Sequence, residues 1–299
     1  MGIGVSPQHP CRSTPGFSYQ GAGSAPLSED VVGVGSDETA VLMELFSAQR
    51  QFVPYGPSHW AVIAVFVIGA ALLVWIGRRQ TESQGRRLGR TLGLLTASIY
   101  GCVLTYSLIP PTIDRSVPLR LTDLATVAAA YALWSSRHWP FALTYYWGLV
   151  LSTQALITPV LRSPDFPHYQ FLGFWAIHLL VVWAAVYLTW GRRMRPQWRS
   201  YRIAILVTLM WAAFTFTFNS IAGTDYGFLN EKPATASLLD LLGPWPVYVF
   251  TAAMLIVIVW ALMTWPWERT RRRAKEGPQP VCPGRHRRFS LMNQRPVRE

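Results

Sequence analysis

Seven long runs of mainly apolar residues divide the chain, at residues 59–76, 91–109, 117–134, 139–160, 171–190, 201–221 and 247–265. An α-helix needs about 20 such residues to cross a hydrocarbon core of roughly 30 Å. The pattern therefore predicts an all-α polytopic membrane protein with seven transmembrane helices. The third run is the weakest, because Arg120 and Asp123 interrupt it.

Around these runs the chain divides in three. Residues 1–54 are rich in Gly, Ser and Pro and, up to residue 50, hold no apolar stretch of signal-peptide length, so they read as a disordered extracytoplasmic tail. Met43 begins MELFSAQRQF just ahead of the first run and offers an alternative start site. Residues 55–265 form the membrane domain, and residues 266–299 form a basic tail containing ERTRRRAK and GRHRR.

Charge sets the expected orientation, because Lys and Arg are retained on the cytoplasmic side during insertion. Of the 27 Lys and Arg residues, 21 fall after the first, third, fifth and seventh runs. The remaining six are Arg12, Arg50, Arg115, Arg120, Arg162 and Lys232. The bias predicts an N-out/C-in topology and a cell-membrane location. Trp60, Trp75, Trp134, Trp139, Trp190, Trp245 and Trp265 sit near run ends, where indoles settle at lipid headgroups.

Composition agrees: 51% of the 299 residues are hydrophobic and 14% charged. A net charge of +12 would otherwise suggest nucleic acid, but its carriers are the inter-run loops and the tail, where topology accounts for them. Membrane lipids are the expected partners. Cys11, Cys102 and Cys282 lie far apart with no metal-ligand spacing, so neither a disulfide, a metal nor a cofactor is expected.

In the N-out orientation, polar residues from several runs reach the outer half of the membrane at ~1.5 Å of depth per residue. They are Arg120, Thr122 and Asp123 in the third run, Gln154 and Thr158 in the fourth, His178 in the fifth, Thr215 and Asn219 in the sixth, and His59 at the mouth of the first. Such groups are costly against lipid and predict an outward-facing polar pocket. Each also has a plainer reading, as helix-packing glue or, for Arg120 and Asp123, as an ion pair at i, i+3. The last outer loop, GTDYGFLNEKPATASLLDLLGPWP, carries Asp225, Tyr226, Asn230, Glu231, Lys232 and Asp240 between Gly and Pro residues. It reads equally as a lid on the pocket or as a packed connector.

YGPSHW at 55–60, VPLRLTDLA at 117–125, QALITP at 154–159, FWAIH at 174–178, and the stretch from Asn219 through GTDYGFLNEKP to LLGPWPVY occur in an ordered set. Together they resemble the YwaF-like family of bacterial integral membrane proteins, over about residues 55–265. That family is related to a vertebrate transmembrane family that moves polyunsaturated acyl chains onto ether phospholipids through a cysteine nucleophile. The family pattern in the third run is approximately LPLHLC, so its His falls on Arg120 and its Cys on Thr122. Positions the family favours are matched by His59, Gln154, His178, Asn219, Tyr226, Asn230, Lys232 and Asp240, with Asp225 where Asn is usual.

The resemblance implies acyl transfer or ester hydrolysis. Thr122 would be the nucleophile, His178 the general base, Asp123 or Gln154 an orienting group, and Arg120 or Lys232 the partner of a lipid phosphate or carboxylate. Asn219, Tyr226, Asn230 and Asp240 complete the expected binding set. A small-solute carrier using Arg120, Asp123 and Lys232, and an inactive scaffold of the same fold, are the alternatives.

Overall fold

A computed structural model of the chain describes residues 50–233 and 237–276, with side chains as far as 273. The N-terminal stretch with Met43, and the tail from residue 277, lie outside the described residues. The described chain is helical: α1 (Pro57–Arg79), α2 (Glu82–Ser107), α3 (Leu121–Ser135), α4 (His138–Tyr146), α5 (Thr153–Ile157), α6 (Tyr169–Val186), α7 (Trp198–Ala222) and α8 (Val247–Glu276). Wider π-helical turns follow α4 at Trp147–Ser152 and α6 at Tyr187–Gly191.

Local signals explain the boundaries. Pro57 opens α1, where its missing N–H costs nothing. The chain then reverses at Thr81, whose hydroxyl accepts the Gln84 backbone N–H at 3.4 Å while the Gln84 side-chain Oε1 accepts the Thr81 N–H at 2.9 Å. This reciprocal cap satisfies two backbone donors at the start of α2. At the end of α3, Ser136 adopts a left-handed conformation (φ 51°) and stops the helix.

Among the described residues five helices, not seven, are long and apolar enough to cross a membrane: α1, α2, α6 with its π turn, α7 and α8. The third and fourth runs differ for physical reasons. With 15 residues α3 is about 22 Å long, short of the hydrocarbon thickness, because the chain from Leu108 to Arg120 runs as turns rather than helix. The fourth run is a continuous rod through α4, the π turn and α5, but its Tyr, Trp, Thr and Gln side chains lower its apolar character. The rod lies within the bundle, with Phe141, Tyr146 and Trp147 at 0–1% exposure, so it needs no lipid-facing apolar surface.

Burial identifies the centre. In α6, 67% of the apolar window is buried, against 11–17% in α1, α2, α7 and α8. The outer helices instead display Ile68, Met210, Phe214 and Phe250, a belt suited to lipid. The core joins Ala125, Ala129 and Ala132 of α3 to Tyr146 and Trp147 of the rod, Val181, Ala184 and Leu188 of α6 or its π turn, and Trp260 of α8.

Small residues set the spacing. Gly85, Gly89, Gly93, Thr96 and Tyr100 form the buried face of α2. A methyl on Gly89 would come within 2.8 Å of the Leu133 carbonyl oxygen, and one on Gly93 within 2.8 Å of that of Ala130. Helices α2 and α3 therefore touch backbone to backbone, as small-residue faces allow.

The loops sort to two end faces. At the loop face the chain before α1 is already built in: the Phe52 N–H donates to the Ser163 carbonyl at 3.0 Å and the Asp165 N–H to that of Arg50 at 2.7 Å. Phe52 is 7% exposed, so the expected disordered tail gives way to ordered structure before residue 54. The opposite, arginine-rich face is tied by Arg192 to Glu82 at 2.8 Å and by the Tyr187 hydroxyl to Gln80 Oε1 at 3.0 Å.

Candidate functional site

Arg120 sits at the N-cap of α3, and the first turn carries Thr122 and Asp123. Asp123 Oδ2 accepts the backbone N–H of Arg120 at 3.1 Å, the position in which an acid satisfies a helix start. Among the described residues no ion pair within 4.0 Å joins the two side chains, so a cap stands in place of the i, i+3 pair of the plainer reading. Arg120 is exposed at this end. Tyr100 of α2 lies against the Asp123 carboxylate. Thr122 is half-buried, and its carbonyl accepts the Thr126 hydroxyl at 2.7 Å.

His178 sits in the middle of α6 at 7% exposure. Its Nδ1 is 2.7 Å from the Phe174 carbonyl, one turn earlier, so Nδ1 carries the proton. Nε2 makes no hydrogen bond among the described residues and keeps its lone pair. This is the tautomer a general base requires. His59 is the opposite case. It is fully buried, its Nδ1 accepts the Tyr55 N–H at 2.9 Å, its Nε2 donates to the Leu156 carbonyl at 3.1 Å, and its ring stacks on Trp175 at 5.2 Å. With both nitrogens engaged, His59 clasps α1 to the end of α5.

Packing registers relate Thr122 to His178 in depth. Gly93 against Ala130 and Tyr100 against Asp123 give a single antiparallel register between α2 and α3. Tyr106 against Tyr169 and Val103 against Gly173 give one between α2 and α6. Combined, they set His178 about one helical turn, roughly 5 Å, deeper than Thr122 and level with Ala125 and Thr126. No hydrogen bond joins Thr122 to His178 among the described residues. Gln154, half-buried at the end of the rod, makes no side-chain hydrogen bond there either; its carbonyl accepts the Thr158 N–H at 2.7 Å.

The remaining candidates form a separate cluster. Asn219, 2% exposed, uses its whole amide: Nδ2 donates to the Tyr226 carbonyl and to Asn230 Oδ1, both at 3.0 Å, and Oδ1 accepts the Thr224 hydroxyl and the Tyr226 N–H, both at 2.9 Å. Asp225 Oδ1 receives the N–H groups of Asn230 and Glu231. Lys232 lies 3.8 Å from Asp240 and 5.5 Å above the Tyr248 ring, and Asp240 also accepts the Ser237 N–H at 2.8 Å. These side chains fold the loop on itself. Tyr226 then pins the loop to the chain before α3, donating its hydroxyl to the Ile113 carbonyl at 2.7 Å and accepting the Val117 N–H at 3.2 Å. Burial pushes the Tyr226 phenol above its ordinary pKa. The packed-connector reading of the loop describes this geometry.

Thr215 is fully buried, and its hydroxyl has no hydrogen-bond partner among the described residues. Sequence reasoning passed over Tyr100 and Thr126. The signal for Tyr100 was present, since it continues the spacing of Gly85, Gly89, Gly93 and Thr96 along one face. An apolar groove of about 550 Å³ lies away from all these residues, between α1 and Val186 near the arginine-rich face.

Apolar helices wrapped around a buried central helix, with polar loops sorted to two ends, make this a polytopic α-helical membrane protein. A sequence profile of the TMEM164 family, a transmembrane protein family, matches residues 54–264, and the chain belongs to that family. No curated protein and no solved structure matches the chain.

Proposed function

We propose that this chain is a multi-pass enzyme of the cell membrane that transfers or hydrolyses acyl esters of membrane lipids at its loop face. The observation that carries the reading is the free Nε2 of His178, an unspent base held inside the bundle by the Phe174 carbonyl. Thr122 Oγ attacks the ester carbonyl as Nε2 takes its proton; the lyso-lipid oxygen leaves and takes that proton back. A second lipid hydroxyl, or water, then receives the acyl group by the reverse proton path. Arg120, exposed at the rim, would hold a lipid phosphate or carboxylate. The resemblance of the motif set to YwaF-like bacterial proteins supports ester chemistry through the vertebrate acyl-transferring family related to them, with Arg120 and Thr122 standing where that pattern has His and Cys. In this reading α3 and the rod complete a seven-element bundle with N-out/C-in topology, supported by the arginine bias.

Lipidomics of a deletion strain tests it. Wild type restores the acyl composition, while Thr122→Ala and His178→Ala, expressed at equal levels, do not. Rescue by both variants removes the enzyme reading. A second reading, an inactive scaffold of this fold, is favoured by the loop, where Asn219, Tyr226, Asn230 and Asp240 are all engaged in holding the chain together.

A further inference from the structure

We propose that the groove between α1 and the end of α6 is a binding site for an anionic phospholipid of the leaflet at the arginine-rich face. This site is independent of the chemistry assigned to Thr122 and His178. Its walls are Ala70, Ala71 and Val74 of α1 and Val186 of α6, and its end is closed by Trp75, Arg78 and Arg79. The two helical segments meet tightly one turn further on, where a methyl on Gly77 would come within 2.6 Å of Gly191 Cα. Above that contact the alanines are too small to fill the space, which leaves an apolar trough of acyl-chain character.

The two guanidiniums at the end of the trough are held and unneutralised. Arg79 lies over the Trp75 ring at 4.4 Å, and Arg78 Nε donates to the Trp190 carbonyl at 3.3 Å, so the other nitrogens of Arg78 remain available. Neither faces a carboxylate within ion-pair distance among the described residues. Glu82, the nearest acid along the chain, is occupied by Arg86 at 3.1 Å and Arg192 at 2.8 Å. Apolar walls ending in two free arginines match an acyl chain ending in a phosphodiester. A zwitterionic lipid would carry its own ammonium into this cationic end and bind less well.

Purified full-length protein in mild detergent, examined by native mass spectrometry, tests the site. With phosphatidylglycerol, one lipid should be retained at least tenfold more strongly than phosphatidylcholine, and inorganic phosphate at matched concentration should not displace it. Arg78→Gln and Arg79→Gln should each weaken retention about fivefold, while Arg→Lys at either position should keep most of it. Ala71→Trp, on an exposed position, should fill the trough and abolish retention without lowering the lipid-free melting temperature. Equal retention of the two lipids, displacement by phosphate, or undiminished retention by the double Gln variant would overturn the proposal.

Discussion

Asn219 and Tyr226 clasp each other through a two-way contact: the Asn219 amide donates to the Tyr226 carbonyl at 3.0 Å and accepts the Tyr226 N–H at 2.9 Å. One side chain thus replaces a backbone pairing at the point where α7 ends and the last loop begins. Asn219→Ala strands three buried partners and the half-buried Asn230 Oδ1, the buried ones each worth about 1–3 kcal/mol when left unpaired. The melting temperature in detergent should fall by at least several degrees, and protease should cut within residues 222–246. Unchanged melting would show that water replaces the amide.

Tyr226→Phe deletes the hydroxyl that ties the loop to Ile113 and Val117 and should cost about 1 kcal/mol. Amide exchange should rise in residues 112–120 and not in α6. The pH dependence has a definite sign. Because the folded phenol titrates above its unfolded value of about 10, its stabilisation is complete below that pH and is lost as pH rises through the folded pKa. Wild type should therefore lose more stability than Tyr226→Phe in that alkaline window.

Glycines on α2 should respond according to what they face. Gly89→Ala and Gly93→Ala drive a methyl into the α3 backbone and should destabilise by about 1–3 kcal/mol. Gly101→Ala meets nothing within 4 Å and should be neutral or stabilising by up to about 1 kcal/mol, the helix-propensity gain. Equal thermal shifts for the three variants would refute the backbone contact.

The two interior histidines should separate stability from activity. His59→Phe loses contacts to Tyr55 and Leu156 on two segments and should unfold at lower temperature. His178→Phe gives up a bond only to its own helix and should melt within a few degrees of wild type. A fall in melting temperature for His178→Phe as large as that for His59→Phe would assign His178 to structure.

Five helices long and apolar enough to span were legible in the sequence because a lipid-facing helix must be apolar along most of its length. The third and fourth runs misled for the converse reason. Their neighbours are protein, so α3 can be short and the rod can carry Tyr146 and Trp147. The polar candidates split in the same way. Spacing placed Thr122 and His178 within about a turn of each other in depth, since rise per residue is constant. It could not tell that Asn219 spends its amide on a loop, or that Asp123 caps a backbone N–H, because such partnerships depend on turns that periodicity does not encode. The glycine face of α2 was readable and would have led to Tyr100.

The rod has a consequence for how the protein is made. Trp147 donates its indole N–H to Thr208 at 2.9 Å, and Tyr146 bonds to Thr264 at 2.6 Å, partners 61 and 118 residues later in the chain. As the ribosome delivers residues 138–157, the groups that will satisfy them have not yet been synthesised. Those two side chains therefore stay without these partners until α7 and α8 arrive. Premature termination before Thr208 should leave a nascent chain that quality-control proteases recognise.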